Sequence, residues 1–189
     1  MYNSYVDKIS TNSLLPRLEK SFYQIYILII LILFTWTSFN IIRFRYGMDY
    51  GEAPLMDQAR RIMQHETIYK SDFNIEPYVV ANYPPLYTLL VASINSATKI
   101  PLFQTGRIIS LFFSLIWTAL IGVSSYRLTN NQLLGTTASI IFLGNPYIMT
   151  WSTLARVDMM ALAFSLLGLF ILFVRRNALG WICLACICF

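Results

Sequence analysis

Residues 21–42 read SFYQIYILIILILFTWTSFNII, twenty-two positions without a Lys, Arg, Asp or Glu. At ~1.5 Å of rise per residue, a helix of this length is about as long as the hydrocarbon core of a bilayer is thick. Two further stretches, 108–126 and 128–155, are equally free of charge. Of the 189 residues 57% are hydrophobic and only 12% charged, against about 25% charged in an ordinary soluble domain. A soluble globular protein is therefore excluded. The first run starts twenty residues into the chain and ends in Asn40-Ile41-Ile42-Arg43 with no small-residue cleavage site, so it reads as an uncleaved signal anchor and not as a signal peptide.

The expected fold class is all-α, a polytopic membrane helical bundle in which residues 1–189 form a single transmembrane module. Its parts are a cytoplasmic arm over 1–21, spanning helices over 22–42, 106–126, 132–150 and 157–174, and the start of a truncated fifth span at 178–189. The long segment 43–105 is an outer loop. Within it, Leu55, Met56, Ala59, Ile62 and Met63 share one face of a helix over about 54–65, with Pro54 in a first turn where it is tolerated. A second amphipathic helix follows Pro84-Pro85 over about 85–98. Both are expected to lie flat with their apolar sides in the headgroup region. The flat placement leaves Lys8, Arg17, Lys20, Arg127, Arg175 and Arg176 on the cytoplasmic side, while the outer loop balances six basic against six acidic residues, as the positive-inside rule requires.

The formal net charge of +5 comes from residues that flank apolar runs, with no basic stretch interleaved with aromatics, so a nucleic-acid partner is excluded. Cys183, Cys186 and Cys188 share the last apolar segment. Their spacing cannot point all three thiols one way on a helix, and no His is near, so they read as small hydrophobes and not as metal ligands.

Two polar constellations stand out. Asp49-Tyr50-Gly51-Glu52 follows the first span and puts two carboxylates three residues apart, on one side of a turn. Such acids act as a general base toward a hydroxyl, hold a divalent cation through hard oxygen ligands, or simply face water in a loop. Ala155-Arg156-Val157-Asp158 puts an Arg and an Asp at the mouth of an apolar helix, where ionisable groups are costly unless partnered or functional. Pairing of Arg156 with Asp158 is the plain alternative to a functional role. On the expected topology both constellations face the same side of the membrane.

The order of these motifs resembles a known family. The D-x-x-E at Asp49 and Glu52, then Ile68-Tyr69, Tyr78, Asn82-Tyr83-Pro84-Pro85-Leu86-Tyr87, Gly106-Arg107 and Ala155-Arg156-Val157-Asp158-Met159 look like the amino-terminal module of GT-C membrane glycosyltransferases. The nearest branches are the protein mannosyltransferase and aminoarabinose transferase type. The resemblance covers about residues 20–175. Members of the family carry adjacent acids where this chain has Asp49 and Glu52, and many have His where Tyr83 stands.

The resemblance implies a polyprenyl-phosphate sugar as donor, transferred with inversion to an acceptor hydroxyl on the non-cytoplasmic face. It implies Asp49, Glu52 and Asp158 as catalytic acids, with Asp49 the base, and a substrate loop at Tyr83, Pro84, Pro85 and Tyr87. Arg107 and Arg156 are candidates to bind the donor phosphate, since Arg contacts phosphate in bidentate fashion; interfacial anchoring is their plain alternative. A divalent cation on Asp49 and Asp158 is the one cofactor expected, and membrane lipids and other membrane subunits are the further partners. The alternative function is a non-catalytic accessory subunit of a membrane complex, docked through small residues such as Gly122, Ser124, Ser125, Gly135, Thr136, Ala138 and Ser139. A transporter fits less well, since no inverted repeat is visible.

Overall fold

The structure, a computed structural model, describes residues 14–69, 74, 76 and 80–174. The cysteines, Tyr78, Arg175, Arg176, the segment 178–189 and most of the expected cytoplasmic arm lie outside the described residues. The described chain is all-helical: α1 (Leu14–Arg43), α2 (Glu52–Met63), α3 (Leu86–Thr98), α4 (Leu102–Thr129), α5 (Gln132–Gly144), α6 (Pro146–Trp151) and α7 (Asp158–Val174).

Local chemistry sets the boundaries. Pro101 precedes α4, and Asn130 ends it in the left-handed region at φ 53°, a conformation Asn tolerates. Asn131 then accepts hydrogen bonds from the Leu133 and Leu134 amides and so caps α5. The span expected as one helix over 132–150 is broken. At Asn145 the backbone turns extended, and its side chain accepts from the Tyr147 amide to cap α6, with Pro146 in the first turn. Proline cannot donate to a continuing helix and its ring clashes with the preceding turn, so the helix ends before it.

Two helices, Glu19–Arg43 and Leu102–Thr129, are long and apolar enough to cross a membrane. Only 22% and 28% of their most apolar windows are buried, whereas the core helix of a soluble protein is mostly covered. Large apolar side chains such as Phe22, Leu28, Ile32 and Trp36 stand out along α1.

Helix α4 is central and touches α1, α2, α3, α5 and α7. Its contact with α5 is closest at Gly122 and Gly135. A Cβ on Gly135 would lie 2.8 Å from the Gly122 carbonyl oxygen, and one on Gly122 would collide with Ser139 Oγ. Those small residues, expected to dock a partner helix, are spent within the chain. The main apolar core joins Leu55, Met56 and Ala59 of α2 to Tyr87 and Val91 of α3, Ile109 and Phe113 of α4 and Met159 of α7. Helix α2 thus buries its apolar face against its own chain, not in headgroups as expected, because α3 and α4 cover it. Helix α3, thirteen residues and ~20 Å long, falls short of the ~30 Å hydrocarbon thickness.

Candidate active site

The end of α1, the start of α2, the start of α4 and the start of α7 meet at one end of the bundle, and two ion-pair systems form there. The inner one is Glu52 with Arg107, both side chains wholly buried and 55 residues apart in sequence. Arg107 Nε and Nη2 donate to the two Glu52 carboxylate oxygens at 2.9 and 2.8 Å. Its remaining donors go to the carbonyls of Ile41, Phe44 and Tyr46 at 2.8, 2.5 and 2.7 Å. The five N–H groups of the guanidinium are therefore all engaged. The Ile41 carbonyl belongs to the last turn of α1, where carbonyls lack helical partners, and those of Phe44 and Tyr46 follow it in the connection to α2.

Glu52 is as fully satisfied. Beyond Arg107 it accepts from the amides of Met48 and Ala155 at 2.7 and 2.8 Å. Burial alone would push its carboxyl up. The Arg107 guanidinium and the Ala155 and Met48 amides outweigh that and hold it below the ordinary carboxylate value. Four segments are pinned to one another by this pair. It leaves no guanidinium donor for a phosphate and no carboxylate surface for a substrate, so Glu52 and Arg107 have a structural place here, not the catalytic and phosphate-binding places expected of them.

The outer system is open to solvent. Arg156 donates from Nη1 to Asp49 Oδ2 and from Nε to Asp158 Oδ2, both at 2.6 Å. The Arg156, Asp49 and Asp158 side chains keep 12%, 15% and 36% of their surface, enough for reactants to reach them. The plain pairing of Arg156 with Asp158 thus forms, and with it a link to Asp49, 107 residues away. The guanidinium also lies over the Trp151 ring, 4.5 Å from its centroid, with Tyr50 on another side at 5.7 Å. Burial works against the cation, but the hydrogen bonds it donates to Asp158 and Asp49 raise its pKa, so it stays charged.

Gly51 is required by this crowding. A Cβ there would stand 2.9 Å from Arg156 Nη1 and 3.0 Å from Asp49 Oδ2, and its amide donates to Asp49 Oδ2 at 3.0 Å.

The loop over 152–157 that carries Arg156 is buried, with Ser152, Thr153 and Ala155 at 0% exposure. Buried backbone must find partners, and α4 supplies them. Ser114 Oγ donates to the Ser152 carbonyl, and Ser110 Oγ bonds both the amide and the carbonyl of Arg156. Ser110, Ser114 and Thr118 recur every four residues on one face of α4, a signal present in the sequence that the motif reading passed over. Tyr87 joins this network, donating to the Gly106 carbonyl at 2.8 Å and contacting Ser110 Oγ at 3.0 Å. It is completely buried, which corrects its expected place in a substrate loop. Burial also pushes its phenol up. Pro85 caps the start of α3.

Beside Arg156 lies a cavity of about 360 Å³, lined by Tyr50, Gly51, Pro54, Leu55, Gln58, Val80, Asn82, Tyr83, Arg156 and Val157. The face of α2 at Gly51, Pro54, Leu55 and Gln58 follows the three-to-four spacing of one helical side. Of the expected substrate-loop residues, Tyr83 lines the cavity and Tyr87 does not. Asn82 opens the motif that carried the resemblance, whereas Gln58 was not singled out by motif.

The expected divalent cation does not fit this donor set. Asp49 and Asp158 both bind the Arg156 guanidinium, which brings the positive charge to the place between them. Among the described residues no group of three His, Cys, Asp or Glu converges to hold a metal ion. Compared with protein-family models, curated proteins and solved structures, the chain matches none.

Proposed function

We propose that this chain is the membrane-embedded amino-terminal module of a glycosyltransferase that uses a polyprenyl-phosphate sugar and acts on the non-cytoplasmic face of a multi-pass helical bundle. The observation that carries the reading is the meeting of Asp49 and Arg156, 107 residues apart in sequence, at 2.6 Å beside a cavity that Arg156 lines. A fixed carboxylate and a fixed guanidinium are the two charges that inverting transfer from a sugar phosphate requires. Asp49 takes the proton of the acceptor hydroxyl as its oxygen bonds the anomeric carbon. The bond from that carbon to the phosphate oxygen breaks, and its electron pair leaves with the polyprenyl phosphate.

Arg156 neutralises the charge that develops on the leaving phosphate. Among the described residues its Nη2 has no carboxylate partner, which makes that side of the fork the one a phosphate would meet. The same pairing fixes the Asp49 carboxylate in place beside the cavity. Glu52 and Arg107 act through the backbone they pin, holding the 44–51 segment against the Arg156 loop. The exposed apolar surfaces of α1 and α4 support the membrane setting, which puts the lipid tails beside the bundle and the phosphate at its end.

The test is transfer of labelled sugar from a polyprenyl-phosphate donor by membranes containing the full chain or Asp49→Asn. Loss of a general base slows transfer by roughly 10²–10⁴-fold, and the thermal midpoint should stay within a few degrees of wild type. Undiminished transfer by Asp49→Asn ends the reading. A stoichiometric copurifying membrane partner, with no turnover by the chain alone, would favour the accessory-subunit alternative.

A further inference from the structure

The cavity beside Arg156 contains a buried polar group with nothing to bind. Gln58 keeps 5% of its surface, lines the cavity and has no hydrogen-bond partner among the described residues. Among the described residues no side-chain nitrogen or oxygen sealed from solvent lacks a partner, so the Gln58 amide is open, and the space it opens on is the cavity. An amide that opens on a cavity and has no partner in its own fold is available to water or to a polar group of a ligand. Its neighbours on α2 offer no alternative partner: Arg61, one turn on, is engaged with Asp57 at 2.7 Å, and Leu55 is apolar core.

The rest of the lining defines what would complete it. Among the described lining residues Arg156 is the one that carries a charge, and since its Nε and Nη1 are taken by Asp158 and Asp49, an anionic group would meet it at Nη2. The amides of Gln58 and Asn82 offer paired donors and acceptors, the pattern a hydroxyl satisfies, since it gives and accepts at once. Tyr50 and Tyr83 present ring faces, and Pro54 and Val157 present apolar surface, matching the C–H faces of a sugar ring. The volume of about 360 Å³ lies at the small end of the ~300–1,000 Å³ found for small-molecule sites, enough for one ring and not for an oligomer.

We infer that Gln58 reads a ring hydroxyl of a monosaccharide phosphate seated in this cavity with its phosphate toward Arg156. The inference rests on the glycosyltransferase reading for the origin of that ligand and adds a specificity-determining residue that motif order does not point to. Gln58 makes no hydrogen bond to another described residue, so replacing its amide removes a ligand contact and no bond among the described residues.

The full chain in lipid nanodiscs is titrated calorimetrically with glucose, mannose and arabinose 1-phosphates, their monodeoxy analogues, and inorganic phosphate. Gln58→Met keeps the side chain's length, and Gln58→Ala is the second variant should the first perturb packing. Wild type should bind one sugar phosphate more tightly than inorganic phosphate and lose roughly tenfold on one monodeoxy analogue. Both variants should bind the parent sugar roughly tenfold more weakly, accept that analogue equally, and hold inorganic phosphate as wild type does. Variants that keep the wild-type discrimination overturn the assignment to Gln58 and leave the glycosyltransferase reading standing. A wild-type chain that binds no sugar phosphate better than inorganic phosphate overturns the assignment as well. Gln58-dependent discrimination in a chain that transfers no sugar from a lipid-linked donor supports the subsite and removes the proposed reaction.

Discussion

Replacing Arg107 by Leu should cost this protein more stability than any other single change at the site. The substitution leaves the Glu52 carboxylate, wholly buried, with only the Met48 and Ala155 amides as donors. It also removes the Arg107 donors from the carbonyls of Ile41, Phe44 and Tyr46, of which Ile41 keeps only the Phe44 amide at 3.2 Å. Breaking a buried pair by removing one partner costs about 3–5 kcal/mol. For a chain of this length each kcal/mol lowers the thermal midpoint by roughly 2–4 °C, so a fall of roughly 6–20 °C is expected. Arg107→Lys should fall between, because an ammonium can reach Glu52 but cannot spread its donors over three carbonyls as the planar fork does. Combining Glu52→Gln with Arg107→Met should cost clearly less than the sum of the two single changes, since neither charge is then left alone. Thermal unfolding of the detergent-purified chain, followed by near-ultraviolet circular dichroism at pH 7, measures all five variants. An Arg107→Leu midpoint within 2 °C of wild type, on the order expected of a surface change, would refute the assignment of this pair as the clasp of the bundle.

Three more expectations follow from particular contacts. Glu52 has its carboxyl held below the ordinary value of 4.5, so its stabilisation is present in full above that value and is lost as the pH falls through the lower folded value. Wild type should therefore lose stability on acidification below about pH 5. Glu52→Gln should flatten that loss without abolishing it, because Asp57, lowered by Arg60 and Arg61 against the upward push of burial, titrates with the same sign; midpoints from pH 3 to 7 check this. Gly51→Val should separate Arg156 from Asp49, since a Cβ already stands 2.9 Å from Arg156 Nη1, and should lower sugar transfer at least tenfold with only a modest midpoint shift; unchanged transfer would count against the ion pair. Gly135→Ala should destabilise by about 1–3 kcal/mol and more than Gly122→Ala, because its Cβ meets the Gly122 backbone oxygen, whereas a Cβ on Gly122 first meets the Ser139 hydroxyl, which can rotate away. Equal midpoints for the two variants would argue against this α4–α5 crossing.

The helices were legible in the sequence because their causes are local. Apolar runs of bilayer length gave α4 within a few residues and the end of α1, whose start at Leu14 lies eight residues before the expected one, and the spacing of Leu55, Met56 and Ala59 gave α2. Pro84-Pro85 marked the start of α3, and Asp158 the start of α7. The span expected over 132–150 instead breaks at Asn145-Pro146. The acidic motif gave Asp49, and the Arg156–Asp158 pairing could be foreseen because the two stand side by side.

Partner choice over distance was not legible. Arg107 could anchor at an interface, grip a phosphate or bind an acid, and nothing within its own helix selects among these. The selection is made where α1 ends, because the carbonyls left open there and the Glu52 carboxylate surround the guanidinium more completely than a surface could. The flat placement of α2 in headgroups gave way for a similar reason: its apolar face fits any apolar surface, and α3 and α4 are nearer than lipid. Sequence determines which segments must be helical and which must leave water, since backbone periodicity and transfer free energy act residue by residue. Which charges neutralise which, and which amide is left waiting in a cavity, is decided only when the helices pack, because a buried ion or amide takes its energy from neighbours that the chain order does not specify.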